Sequence, residues 1–326
     1  MTRNETLLQR LAYVVGNGMI FWFFSEYFFV NEGPAFTLID NLATPDKLAW
    51  VLLEMLFWYG LVTSLFLLAV SYYRVHTISA IFLAGCIYGW AVEGLFIPVL
   101  YENIPASFIW PSAGHVLVDV LLGWYLIRVL LRKNNTLLTI VMAVLLGLAW
   151  GAWATWFWIG EGERRITPDE FTVFALFTSV IWISGTGLAD RAGRLAFRPT
   201  RAEIVILLTL CALLFAYMTF AVGFLSVLIL PLAGLVQYAL YRNRKMEQRE
   251  NIIRKLGAVQ PGWSQYGYLL FTPVTAILTY DLIFDVQAVS PVKDLVVPAL
   301  FLAGGGLFFY CLYQVMFPTP NNESVD

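Results

Sequence analysis

Residues 203–242 read EIVILLTLCALLFAYMTFAVGFLSVLILPLAGLVQYALYR, and no charged side chain stands between Glu203 and Arg242. One helix over residues 203–241 would be about 58 Å long, at a rise of about 1.5 Å per residue, which is too long for one membrane crossing at any tilt. We therefore predict two membrane-spanning helices joined by a turn near Gly223. Two adjacent apolar segments of this length are typical of a polytopic membrane protein.

The composition of the whole chain supports the same class. Hydrophobic residues make up 60% of the sequence and charged residues 13%, and the mean hydropathy is +0.73. Soluble domains carry about 25% charged residues. Apolar segments reach the ~20 residues that a spanning helix needs, whereas barrel strands would alternate over ~10 residues. With a net charge of −2 and no basic domain, the chain gives no reason to expect a nucleic-acid partner.

We predict one all-α transmembrane domain over residues 1–317 and a polar, disordered tail over residues 318–326. Charges and Pro or Gly clusters bound ten apolar runs. The predicted spans are 11–30, 48–72, 78–98, 110–131, 136–159, 169–189, 203–221, 223–241, 264–284 and 295–317. We also expect Pro273 to kink the ninth span.

The basic residues orient these ten spans. Lys and Arg in short loops favour the cytoplasmic side of a membrane. In the ten-span model, sixteen basic residues lie on one side, and only Lys47, Arg164, Arg165 and Lys293 lie on the other. We therefore predict that both termini are cytoplasmic, in the plasma (inner) membrane of a bacterium or archaeon, with membrane lipids as neighbours. The long inner loop, residues 242–262, is expected to form either a short amphipathic helix on the lipid headgroups or a solvated connector.

Six ionisable side chains within these apolar spans stand out, all toward the outer face. An ionisable group in hydrocarbon is costly unless it is paired, neutralised or hydrated, so we interpret such groups as a candidate site. The six are Glu26, Glu54, Glu93, His115, Asp119 and Asp281.

His115 and Asp119 are four residues apart and share one face of a helix. This spacing suits a metal bound from one side, or a carboxylate that orients an imidazole for proton transfer. A His–Asp pair that only satisfies itself between helices is the structural alternative. Glu93 could complete either kind of site, as a metal ligand or as an acid or base. We therefore keep a divalent metal as a candidate cofactor on His115, Asp119 and Glu93.

The surroundings of the acids add detail. Gly85 and Gly89 have the small-xxx-small spacing of closely packed helices. Gly94 and Pro98 predict an irregular helix around Glu93. Glu26 follows four aromatic residues and is expected to carry protons. Asp281 lies near the outer end of its span, where an interfacial acid is an equal alternative, and Glu54 is the weakest member of the set.

Several function classes lack the residues that they need. All five lysines are in loops or at span ends, so no lysine is placed for a buried Schiff base. His76 and His115 fall on opposite sides of the membrane and cannot share a haem. The sequence contains no GxxxxGK[ST], GxGxxG after a strand, HExxH or GxSxG pattern, so nothing indicates nucleotide use, zincin chemistry or serine hydrolysis.

Three hypotheses remain. In the first, the protein is a proton- or cation-coupled secondary transporter of a small or lipid-like solute, with Glu26, Glu93, His115, Asp119 and Asp281 as binding groups. In the second, it is an outward-facing membrane enzyme for a lipid or polyprenyl substrate, with His115, Asp119 and Glu93 as metal ligands or as general acid and base. In the third, it is an accessory subunit whose polar cluster meets a protein partner.

Overall fold

A computed structural model describes residues 6–28, 33–102, 106–156, 164–193, 197–246, 251–285 and 292–318. All regular secondary structure in these ranges is helical. The predicted disordered tail lies outside the described residues, apart from Pro318.

Fourteen α-helices are described in these ranges. They are α1 Leu7–Trp22, α2 Gly33–Asn41, α3 Pro45–Tyr72, α4 Ile78–Ala91, α5 Ala106–Pro111, α6 Ile127–Arg132, α7 Thr136–Trp153, α8 Pro168–Ala192, α9 Arg201–Val222, α10 Ile229–Met246, α11 Ile252–Ala258, α12 Trp263–Tyr268, α13 Phe271–Ile283 and α14 Val292–Met316. Three π-helical segments continue or join them: π1 Phe23–Tyr27, π2 Val92–Phe96 and π3 Ser112–Leu126. Short 3₁₀ turns cover Pro98–Tyr101 and Phe224–Leu228.

Nine helical stretches within the described ranges are long and apolar enough to cross a membrane, which indicates an integral membrane protein. They are Leu7–Tyr27, Pro45–Tyr72, Ile78–Phe96, Ile109–Arg132, Thr136–Trp153, Pro168–Ala192, Arg201–Val222, Phe224–Arg244 and Leu295–Met316. These nine overlap nine of the ten predicted spans. Large apolar side chains such as Phe220 and Leu302 are exposed on their surfaces, at 90% and 74%, as expected for groups that meet lipid.

The predicted span at 264–284 differs from the other nine because it is divided into α12 and α13. Between them the backbone bonds run three residues back, from Leu270 N–H to the carbonyl of Gly267 and from Thr272 N–H to that of Leu269. Pro273 explains the break, since it has no N–H for the carbonyl of Leu269 and its ring crowds that same carbonyl. The predicted disturbance at Pro273 is therefore confirmed, as a break one turn earlier rather than a smooth kink.

The turn predicted near Gly223 is confirmed. Helix α9 ends at Val222, and Gly223 has φ +85°, a backbone conformation that suits glycine. The 3₁₀ turn that follows leads directly into α10. This geometry divides the uncharged stretch into two helices, as its length requires.

Helix α1 lies at the centre of the molecule. It packs against α8, α3 and π3, while α4 packs against π3 and α14. The inner loop does contain a helix, α11, but its apolar residues Ile252, Ile253 and Leu256 are buried against α3, α6 and α8. The amphipathic helix is therefore a packed element of the protein rather than one lying on headgroups.

Candidate functional site

His115 lies between two carboxyl groups. Its Nε2 atom is 2.7 Å from Oε1 of Glu93, and its Nδ1 atom is 2.9 Å from Oδ2 of Asp119. Glu93 and His115 are only 7% and 9% exposed, and Asp119 is fully buried. The structure therefore brings together three of the predicted residues, and Glu93 joins them from a different helical segment.

Two hydroxyl groups add hydrogen bonds to this group. The Tyr88 hydroxyl donates to Oδ2 of Asp119 at 3.1 Å, and the Ser25 hydroxyl is 3.2 Å from Nδ1 of His115. Neither hydroxyl was predicted from the sequence, because apolar periodicity identifies a span but does not show which hydroxyl faces which carboxylate. We call Glu93, His115, Asp119, Ser25 and Tyr88 the imidazole cluster.

Glu26 lies beside the imidazole cluster. The Tyr59 hydroxyl donates to Oε1 of Glu26 in a short hydrogen bond. Glu26 is close enough to interact electrostatically with His115, Glu93 and Asp119, and it follows Ser25 directly in π1. Four of the six predicted acids and bases therefore form one connected region.

Asp281 and Glu54 are not part of that region. Both are exposed, and no hydrogen bond or ion pair in the described part of the chain joins either one to the cluster. Helix α13 packs on α7 and α8, which keeps Asp281 away from α4 and π3. Similar depth in a span does not make two residues neighbours.

All four clustered ionisable residues lie in π-helical segments. Glu26 is in π1, Glu93 in π2, and His115 and Asp119 in π3. Of these segments, π1 and π2 are short, five residues each, and short π insertions in helices are frequent at functional sites. The irregularity predicted around Glu93 is confirmed, since π2 is followed by an extended Ile97 and a 3₁₀ turn.

Close helix contact at Gly89 positions His115. A Cβ atom on Gly89 would lie 3.0 Å from Cβ of Pro111 and 3.2 Å from Cβ of His115. Only a residue without a side chain leaves this space, so Gly89 allows the start of π3 to approach α4. The predicted small-xxx-small contact at Gly85 and Gly89 is thus part of the site.

Charge in the cluster is strongly unbalanced. Two carboxyl groups contact the one imidazole, and a third, that of Glu26, lies beside the cluster. No lysine or arginine among the described residues forms an ion pair with any of the three. Oε2 of Glu93 and Oδ1 of Asp119 are buried without a hydrogen-bond partner. Buried charge without compensation is costly, so this arrangement favours bound protons or a bound cation.

The contacts of His115 bear on the metal hypothesis. No group of three or more His, Cys, Asp or Glu side chains in the described ranges is arranged to hold a metal ion. Both imidazole nitrogens face a carboxylate oxygen, so a metal on His115 would have to displace Glu93 or Asp119. The arrangement is instead a hydrogen-bonded chain of acid, base and acid, which can exchange protons.

A second polar cluster lies nearer the predicted cytoplasmic side. Nε of Arg128 donates to Oδ1 of Asp190 at 2.9 Å, and Arg132 donates to the same oxygen at 2.5 Å. The Tyr266 hydroxyl donates to the other oxygen, Oδ2, at 3.0 Å. Arg128 is 1% exposed, and Asp190 is fully buried.

Asn17 joins helix α1 to this cluster. Its side-chain oxygen accepts from Arg128 at 3.0 Å and from the Trp124 indole at 2.6 Å. We call Asn17, Trp124, Arg128, Arg132, Asp190 and Tyr266 the arginine network. Sequence reasoning missed it because the two arginines were assigned to the inner side as topology signals, although Asn17 within an apolar span was a usable signal.

Aromatic rings fill the space between the two clusters. Phe21 stacks on Tyr88 with ring centres 4.5 Å apart, and Phe66 meets the edge of Trp124 at 4.9 Å. Phe21 also packs on Phe66 at 5.2 Å. Tyr88 belongs to the imidazole cluster and Trp124 to the arginine network, so one continuous aromatic layer connects them.

The chain matches no known family model, no curated protein and no solved structure.

Proposed function

We propose that this protein is a proton-coupled secondary transporter of a small or lipid-like solute, and that Glu26, Glu93, His115 and Asp119 bind the protons. The observation that carries the proposal is the position of His115 between Glu93 and Asp119. Intramembrane ionisable residues facing one another across helices are typical of proton and ion pathways.

Counting protons supports coupling to H⁺. Each of the two contacts of His115 needs one proton between nitrogen and oxygen, whereas a neutral imidazole has only one N–H. With both carboxylates ionised and the imidazole neutral, one contact would set a nitrogen lone pair against a carboxylate oxygen. The geometry therefore fits a proton-loaded cluster, in which the second proton is on the imidazole or on one carboxyl group.

Release of that proton would act on the helices. The contact between Nε2 of His115 and Glu93 joins π3 to π2, whereas the contact with Asp119 lies within π3. Losing the proton from Nε2 removes the attraction between the two segments and leaves two acceptors facing each other. Proton release is thereby linked to a change in helix packing, which is what a coupled carrier requires.

Glu93→Gln tests the proposal, with Glu54→Gln as the matched control because Glu54 is exposed and outside the cluster. Purified protein is reconstituted into liposomes that contain a pH-sensitive dye, and amino acids, sugars, organic cations and lysophospholipids are added in turn. We expect at least one class to drive proton movement in the wild type and in Glu54→Gln, and Glu93→Gln to match empty liposomes. Equal fluxes in Glu93→Gln and the wild type would remove the cluster from the mechanism.

Localisation and partners belong to the same proposal. The bias of basic residues supports cytoplasmic termini and a bacterial or archaeal inner membrane, with the imidazole cluster toward the outer face. Membrane lipids surround the helices in this arrangement. A protein partner remains the prediction of the accessory-subunit hypothesis, and no contact in the described part of the chain favours it over transport.

A further inference from the structure

We propose that the arginine network is the cytoplasmic closure of the transport path, which must open for the solute or proton to leave on that side. This inference rests on the proposed function. It concerns residues that lie apart from the imidazole cluster and serve no proton-binding role in it.

The arginine network connects several helices. The network ties α1 through Asn17, the fourth spanning stretch through Arg128 and Arg132, α8 through Asp190, and α12 through Tyr266. Two residues that follow α10 add hydrogen bonds. The Gln260 side chain donates to the backbone carbonyl of Asp190, and the Arg132 guanidinium donates to the backbone carbonyl of Leu256. The Asp190 carboxylate thus joins α6, α8 and α12 directly, and Arg128 extends these contacts to α1.

The imidazole cluster and the arginine network lie at different positions along the same two helical stretches. Asn17 and Ser25 lie on one helical stretch, about 12 Å apart at about 1.5 Å per residue. Ser25 contacts His115, and Asn17 contacts Arg128. The same two helices are therefore joined at one end by the imidazole cluster and at the other end by the arginine network, so that a tilt that loosens one end acts on the other.

The arginine network and the imidazole cluster differ in their charge. Two guanidinium groups share one carboxylate, so the network carries excess positive charge, whereas the imidazole cluster has excess carboxyl groups. Buried ion pairs contribute little net stability compared with apolar packing, and a register or switch role is their best-attested use. The closed state is held by contacts that water can replace once the helices part.

The test measures access to a buried position on α3. Thr63 is fully buried, one helical turn inward of Tyr59, and Thr63→Cys is a small change. Cys86, Cys211 and Cys311 are replaced by alanine, and a charged thiol reagent is applied to the cytoplasmic side of membrane vesicles. We expect Asp190→Asn to raise the labelling rate of this cysteine at least about tenfold, because one side of the buried ion pair is lost.

Tyr266→Phe is the milder variant for the case in which Asp190→Asn does not fold. It removes one hydrogen bond without leaving a charge unpaired, so we expect an increase of about two- to fivefold. Asp40→Asn breaks the exposed ion pair with Arg164 elsewhere in the molecule and should leave the labelling rate unchanged. An unchanged rate in folded Asp190→Asn, or in Tyr266→Phe where Asp190→Asn fails to fold, would overturn the inference.

The labelling assay is independent of flux. Faster labelling of Thr63→Cys in the Asp190→Asn variant, together with normal proton flux in the Glu93→Gln variant, would support the closure and reject the proposed proton site. An unchanged labelling rate in the Asp190→Asn variant, together with loss of proton flux in the Glu93→Gln variant, would reject the closure and support the proton site.

Discussion

His115 contacts both carboxyl groups of the imidazole cluster, and its two ring nitrogens are the atoms on which the competing hypotheses differ. A metal-dependent enzyme needs a nitrogen lone pair directed at a metal ion, with the other nitrogen free to donate a proton. Proton coupling needs both nitrogens in hydrogen bonds. The described contacts at 2.7 and 2.9 Å match the second requirement.

Metal analysis of the purified protein tests this difference. We expect no stoichiometric divalent metal in the wild type, because Glu93 and Asp119 already occupy the positions around the ring. The double variant His115→Ala/Asp119→Ala is measured beside it. A divalent metal at about one per chain, absent from the double variant, would replace the transporter with a metalloenzyme.

Sequence reasoning predicted part of this site correctly. The four-residue spacing of His115 and Asp119 predicted that they share a helix face, and Glu93, which the sequence grouped with them, does contact His115. The hydroxyls of Ser25 and Tyr88 were not predictable, because depth along a helix does not fix its rotation, and each π turn changes that rotation further. Asp281 illustrates the same limit, since its helix packs on α7 and α8, away from the cluster.

At the scale of elements, the π-helical segments and the contact at Gly89 determine the site. Residues at the start of π3 pass close to α4, where only hydrogen occupies the side-chain position. Gly94, beside Glu93, has its carbonyl bonded by the Tyr101 hydroxyl at 3.1 Å. Burial raises the pKa of Tyr101 to about 12, so this hydroxyl keeps its proton and donates across the physiological pH range.

Gly89→Ala is expected to disturb the site through packing alone. The added methyl group would lie 3.0 to 3.2 Å from atoms of Pro111 and His115, and overpacking of this kind typically costs about 1–3 kcal/mol. We expect lower thermal stability and loss of solute-driven proton flux.

Gly187→Ala is the matched control for that experiment. Nothing lies within 4 Å of a Cβ at Gly187, and alanine in a helix interior is favoured over glycine by about 1 kcal/mol. The control should retain flux with equal or higher stability. A Gly89→Ala protein that behaves like the control would show that the close approach to Pro111 is not needed.

At the scale of the whole molecule, the number of spans decides where the termini lie. Nine membrane crossings would put the two termini on opposite sides, whereas ten would put them on the same side. The deciding segment is α12 with α13, which the sequence predicted as one span and which is divided one turn before Pro273. Together the two helices cover residues 263–283, about 31 Å at about 1.5 Å per residue, which is enough to cross a bilayer.

Epitope tags at each terminus test the crossing of α12 and α13. In spheroplasts or right-side-out vesicles we expect both tags to be protected from protease and antibody, because ten crossings with the predicted orientation would leave both termini in the cytoplasm. A tag inserted next to Lys293 should be accessible to protease and antibody. Protection of the N-terminal tag with exposure of the C-terminal tag would mean that residues 263–283 do not cross the membrane.

The arginine network also has a consequence for biosynthesis. Arg128 precedes Asp190 by 62 residues, and at about 5–20 residues per second the ribosome needs roughly 3–12 s to deliver the partner carboxylate. Tyr266 follows 76 residues later still. During this interval Arg128 must extend toward the lipid headgroups, so the first spanning segments enter the membrane as a loose assembly. The arginine network can therefore be complete only after the ribosome has made α12.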